Sequence, residues 1–149
     1  MDKSAYPPLL PAGFHRFTLD ELAHTFALPF GNSRRSPVLV DGLKRFVTKL
    51  LAMGVVGELW FDGSFVSTKI EPDDIDLVVV LDANAFSKLS AKKRGAIERA
   101  FDPTLARVMY KCDVYWVLSS DVAWVTYWRG WFGFQRDGKS PKGLGYILL

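Results

Sequence analysis

The stretch Glu58-Leu-Trp-Phe-Asp-Gly-Ser-Phe-Val-Ser-Thr-Lys-Ile-Glu-Pro-Asp-Asp-Ile-Asp-Leu-Val-Val-Val-Leu81 decides how this chain reads. An apolar run at 59–61 leads into Gly63-Ser64. A polar linker then delivers a second run, 74–81, with Asp74 and Asp76 two residues apart. Strand side chains alternate faces, so Asp74 and Asp76 point one way while Ile75 and Leu77 point the other. Two carboxylates held side by side repel each other and raise each other's pKa unless a cation lies between them. Folding alone gives the apolar run 77–81 no reason to begin with such a pair. The economical reading is a divalent metal site beside a Gly-Ser turn able to hold a phosphate.

Working outward, residues 1–13 carry Pro7, Pro8 and Pro11 and read as an extended arm that docks, the first part of an N-terminal region 1–35. Thr18 with Glu21 is a capping-box pattern, which predicts a short helix over 19–26 with Leu19, Leu22 and Phe26 inward. Ser36 as N-cap, Pro37 at the first helical position and Gly54 as stop bracket a longer helix. In it Leu39, Leu43, Phe46, Val47, Leu50 and Met53 keep helical spacing. Residues 82–90 are a connection holding a turn of helix, and Ser90 caps a helix over 91–101. Pro103 restarts the chain, and 109–117 reads as a third strand. Ser120 or Asp121 caps a last helix bearing Trp124, Val125, Trp128, Trp131 and Phe132, and 144–149 reads as a terminal edge strand. The order helix, helix, strand, strand, helix, strand, helix, strand predicts one α/β (α+β) domain over 1–149, with helices flanking a mixed sheet of about four strands.

Composition narrows the class. The chain has 149 residues, 49% hydrophobic and 23% charged, ordinary proportions for a globular domain. The longest aliphatic run has five residues, 77–81, against about 20 for a membrane-spanning helix, so no membrane span is expected. No basic segment followed by an apolar one opens the chain, so no leader is expected. Cys112 is the only cysteine, which excludes an internal disulfide and suits a cytoplasmic location. A net charge of +3 allows a nucleotide or nucleic-acid partner without demanding one.

The third strand adds Asp113 among Met109, Tyr110, Val114, Trp116 and Val117. A lone buried charge there costs several kcal/mol on the order usual for unpaired groups. Three acids on two strands suit Mg²⁺, which takes hard oxygen ligands and keeps several waters. His15 and His24 have no partner at ligand spacing. Cys112 neighbours Asp113 and therefore faces the other way, as a packing thiol. The aromatic residues 124–134 read as core or as a dimer contact. Arg129, Arg136, Lys139 and Lys142 form a basic region beside them, read as a solvated surface or, more pointedly, as a phosphate or RNA contact.

Gly63-Ser64, then Asp74-Ile75-Asp76-Leu77, then a later strand acid Asp113, resembles the signature of the nucleotidyltransferase superfamily with its polymerase-beta-like fold. The fuller pattern is similar to a group of short bacterial nucleotidyltransferase-like proteins. It includes Leu10-Pro-Ala-Gly-Phe-His15, Leu59-Trp-Phe-Asp-Gly-Ser-Phe-Val66 and Trp131-Phe-Gly-Phe-Gln-Arg-Asp-Gly138 with Lys142-Gly143, and it spans nearly the whole chain. The resemblance implies that Asp74, Asp76 and Asp113 bind Mg²⁺ (or Mn²⁺), with Asp113 also able to take the proton of the attacking hydroxyl. It implies that Gly63 and Ser64 hold a nucleoside triphosphate such as ATP. Where small antitoxin-type members follow Gly-Ser with an arginine-rich stretch, this chain has Phe65-Val-Ser-Thr-Lys69, which leaves Lys69 as a phosphate contact or a solvated loop lysine. The acceptor, an RNA end or a protein side chain, is not constrained.

Three functions compete at this stage. One is transfer of a nucleoside monophosphate to a hydroxyl. The second is a non-catalytic nucleotide- or partner-binding module of a toxin–antitoxin or defence pair, with homodimerisation through the aromatic helix. The third is a metal-dependent nuclease.

Overall fold

The chain forms, in order, β1 (Gly13–Arg16), α1 (Leu19–Phe26), α2 (Arg35–Ala52), β2 (Gly57–Asp62), β3 (Ile75–Leu81), α3 (Ala83–Ser87), α4 (Ala91–Ala100), α5 (Pro103–Tyr110), β4 (Cys112–Leu118), α6 (Val122–Phe132) and β5 (Gly143–Leu148). The structure is a computed structural model. It describes residues 7–69, 71–134 and 138–149, and of Ser64 the backbone alone. The five strands make one mixed sheet in the order β1-β5-β2-β3-β4, which with the helices is the expected α/β class. β2 and β3 pair antiparallel, β3 and β4 parallel, β2 and β5 antiparallel, and β1 and β5 parallel.

The alternation within β2 and β3 sorts their side chains between two faces. Leu59, Phe61, Ile75, Leu77, Val79 and Leu81 enter the main core with Leu22 and Phe26 of α1 and Leu39, Leu43, Phe46, Val47 and Leu50 of α2. Phe17, Phe26, Phe61 and Phe65 stack there with ring centroids 4.7–6.2 Å apart. The opposite face carries a smaller cluster of Trp60, Val78, Val80, Val117 and Leu144 under Phe132 of α6. β3 is therefore apolar on both faces along most of its length. That explains its unbroken hydrophobic run, as expected for a strand covered on both sides.

Several expectations need correction. Residues 144–149 were expected to form an edge strand, but β5 lies inside the sheet between β1 and β2. Gly145 makes this placement possible, since a Cβ there would strike the ring of Phe61. β1 is a fifth strand inside the region expected to be arm and helix. Its four residues are too few to carry a pattern. Met109 and Tyr110, placed in the third strand, end α5 instead. Asp102 caps that helix by accepting from the Leu105 N–H at 2.9 Å, Pro103 opens it, and Lys111 ends it in the left-handed conformation at φ 58°. α2 starts two residues earlier than Ser36 implied, at Arg35 with Arg34 at the N-cap, and Ser36 lies inside it, its N–H donating to Ser33 Oγ at 3.0 Å. The capping contact at Thr18 does form, its N–H reaching the Glu21 carboxylate at 3.3 Å. The proline-rich arm docks as expected from residue 7 onward, Leu9 N–H donating to Val66 O and Thr68 N–H to Pro7 O. Residues 1–6 lie outside the described part. No helix among the described residues is long and apolar enough to cross a membrane.

Candidate active site

Three strands bring their acids into one row. In the β2–β3 ladder Asp62 lies opposite Asp76, and in the β3–β4 ladder Asp76 lies opposite Asp113. Partners across a ladder project to the same side, so all three point to the face that α6 covers further along. Asp74 immediately precedes β3 and adds its carboxylate to the end of the row. One oxygen from each of Asp74, Asp76 and Asp113 lies within 4.8 Å of the others, and all three residues are half-buried. The structure thus brings together the three acids expected as a ligand set, with Asp113 joining the side on which strand parity placed Asp74 and Asp76.

Electrostatics mark this group as strained. The Asp74 carboxyl is pushed up to about 6, first by burial, then by a hydrogen bond shared with Asp113 and by the charges of Asp113, Asp76 and Asp73. Asp113 also receives Arg107 of α5, whose Nη2 and Nε lie 2.6 and 3.0 Å from Oδ1. That contact raises the Arg107 pKa, chiefly through the hydrogen bond. Arg107 was not visible as a site residue in the sequence. It reaches Asp113 across the left-handed turn at Lys111, and no residue spacing encodes that turn.

The Gly63 turn sits against the row. Gly63 has φ 93°, a region that favours glycine, and a Cβ on it would lie 2.7 Å from Asp76 Oδ2. Its place is fixed twice, by backbone conformation and by close approach to a carboxylate. A single 3₁₀ turn, Ser64–Val66, follows, closed by the Val66 N–H on Gly63 O at 3.0 Å. The Ser64 hydroxyl lies outside the described part. Lys69 lies nearby but donates to Asp73 at 3.1 Å, and Arg35 donates to the Asp73 carbonyl at 2.8 Å. Together with the Arg34 N–H on Glu71 at 2.7 Å, these contacts tie the linker before β3 to the start of α2. They set the position from which Asp74 is presented.

Asp62 is the residue that sequence reasoning missed. It is 3% exposed, its Oδ2 lies 2.8 Å from Lys142 Nζ, and its Oδ1 is buried without a hydrogen-bond partner. Burial pushes its carboxyl up to about 6 against the opposing pull of Lys142. Only the β2–β3 register, with Asp62 facing Asp76, reveals that it belongs to the row.

The remaining candidates fall outside the group. The His15 ring contacts the Pro11 carbonyl at 2.7 Å. Cys112 is buried with its thiol on the Tyr110 carbonyl, and burial pushes its pKa up to about 12, the packing thiol expected. Of the basic region, Lys142 reaches the row and Arg129 lies over the Phe14 ring at 5.7 Å, while Arg136 lies outside the described part. The aromatic helix divides: Phe132 is core, whereas Trp124, Tyr127 and Trp131 are at least half exposed.

Residues 3–147 match a family of unknown function, DUF6932. No curated protein and no solved structure matches the chain.

Proposed function

Because the chain belongs to that family, to which no activity is attached, we propose from its own site that it is a nucleotidyltransferase. In this reading it moves a nucleoside monophosphate from a nucleoside triphosphate to a hydroxyl on an RNA end or a protein side chain. The observation that carries this is the convergence of Asp74, Asp76 and Asp113 within 4.8 Å, against the Gly63 turn. Their donor atoms are all carboxylate oxygens, the hard ligands that Mg²⁺ and Mn²⁺ take, and the raised Asp74 carboxyl shows a charge density that a divalent cation relieves. Such an ion would supply charge neutralisation at the reacting phosphate.

The chain's own residues do the rest. The Gly63 turn brings backbone against the row where no side chain intervenes, suited to an anion. Asp113, one carboxylate of the convergent set, would take the proton leaving the attacking hydroxyl. The linker contacts of Arg34, Arg35 and Lys69 hold Asp74 in position. Catalysis of this kind is mostly positioning and electrostatic stabilisation.

A second reading, a non-catalytic module that binds a nucleotide or a partner, is favoured by one observation. Arg107 already occupies Asp113 and neutralises part of the ligand set. Incubation with each α-labelled triphosphate, Mg²⁺ or Mn²⁺, and extracted RNA or protein separates the readings. Label transfer that disappears in Asp76→Ala supports the enzyme. No transfer from any triphosphate, with partner binding unchanged in Asp76→Ala, supports the module. Shortening of the RNA instead of labelling identifies a nuclease.

A further inference from the structure

We infer that Lys142, held by Asp62, forms an anion site for the polyphosphate of the nucleotide, with Asp62 as the residue that positions it. The inference rests on the reading of the row as a nucleotide site. It assigns a residue from the far end of the chain to that site.

Position comes first. Across the sheet the row runs from Asp62 on β2 through Asp76 on β3 to Asp113 on β4, and each end meets a cation. Arg107 holds the β4 end and Lys142 the β2 end. The Gly63 turn directly follows Asp62, so Lys142 and the turn lie at the same end of the row. Lys142 precedes Leu144, which packs on the α6 face, and alternation sends both side chains to that face.

Rigidity comes second. The Lys142 N–H donates to Gly133 O at 2.9 Å and the Gly143 N–H to Leu10 O at 3.2 Å. A Cβ at Gly143 would strike the Pro11 carbonyl, so the backbone is pressed onto the N-terminal arm. The lysine therefore springs from a fixed point, and its stem is largely covered, with the side chain 19% exposed. Such preorganisation favours binding over a loose surface charge.

The chemistry of the pair comes third. A buried ion pair is a weak stabilising device, since desolvation offsets much of the attraction. This one also leaves Asp62 Oδ1 buried and unpartnered, a cost of about 1–3 kcal/mol. A merely structural fastening has no use for that arrangement. An ammonium carries three N–H donors, and Asp62 Oδ2 takes one direction of approach. The others remain for an anion, brought to a face that otherwise gathers four carboxylates, Asp62, Asp74, Asp76 and Asp113. Lys69, by contrast, is committed to Asp73.

Calorimetric titration of the full chain with Mn²⁺ and inorganic tripolyphosphate tests this without needing the base. Wild type is expected to bind manganese tripolyphosphate. Lys142→Gln should bind it at least tenfold more weakly, with Mn²⁺ alone bound as before, and Lys142→Arg should recover most of the loss. Asp62→Asn should show a partial loss of the same selectivity. In wild type, tripolyphosphate with Mn²⁺ should protect Lys142 from amine acetylation, read by mass spectrometry, so the outcome does not depend on a variant that folds. Equal tripolyphosphate affinity in Lys142→Gln, or equal acetylation with and without the anion, overturns the Lys142 assignment and leaves the nucleotide reading standing. Full affinity in Asp62→Asn removes the positioning role. Failure of Mn²⁺-loaded wild type to bind tripolyphosphate at all overturns both.

Discussion

Phe61 and Asp62 are neighbours in β2, yet they belong to opposite worlds. Phe61 enters the face packed by α1 and α2, where it is fully buried among Phe17, Phe26 and Phe65. Asp62 enters the other face at the end where α6 no longer covers the sheet. The same alternation puts Leu77 in the core and Asp76 in the row. One face of these strands spends its burial on cohesion, and the other spends part of it on holding like charges together. The first makes the second tolerable, because three acids can be kept within 4.8 Å only on strands anchored from behind.

This contrast can be broken from either side. Phe61→Ala removes a ring from the cohesive face and should cost about 3–5 kcal/mol in urea denaturation. Metal binding should then fail only because the protein unfolds. Gly63→Ala acts at the boundary, combining an unfavourable φ with a Cβ 2.7 Å from Asp76 Oδ2. It should cost about 1–3 kcal/mol, and folded protein should lose Mn²⁺ affinity at least tenfold by electron paramagnetic resonance. A larger loss of stability than in Phe61→Ala would show that the turn, not the core, anchors the row.

The smallest effect is on the charged face itself. The Asp74 carboxyl is raised from 3.8 to about 6, so folding favours its protonated form. Its favourable contribution is complete below 3.8 and is lost as pH rises through about 6. In metal-free protein the melting temperature of wild type relative to Asp74→Asn should therefore fall over that window. The change should correspond to less than about 1 kcal/mol, because solvent screens a half-exposed group. Added Mg²⁺ should reverse the trend, raising the wild-type melting temperature more at pH 7 than at pH 5. A difference that does not vary with pH would mean that neither burial nor the neighbouring acids raise the Asp74 carboxyl.

The parts of the site written in local spacing were legible. One residue separates Asp74 from Asp76, so parity put that pair on one side, and Asp113 stood out as an acid interrupting an apolar strand. The long helix α2 was equally plain from its apolar stripe. What escaped depends on pairing between distant segments. Asp62 joins the row only through a register spanning the linker, and Lys142 only through the packing of β5 against β2. The strand β1 is too short to show a pattern, and Met109-Tyr110 suits an apolar helix face as well as a strand. The deciding feature there was a left-handed lysine at position 111, a conformation that only the surrounding structure imposes.

The place of β5 has a consequence for how the protein comes into being. It follows every other element along the chain, yet it fills a slot between β1 and β2. A nascent polypeptide that has delivered residues 1–142 has the core helices and three adjoining strands. It also has an open edge on β2 and a detached first strand. The sheet closes only when residues 143–148 emerge, and in the same step Lys142 arrives at Asp62. Long-range closure of this kind is slow. The sheet and the candidate anion site are therefore completed together, by the same segment, and a chain stopped before residue 142 carries neither.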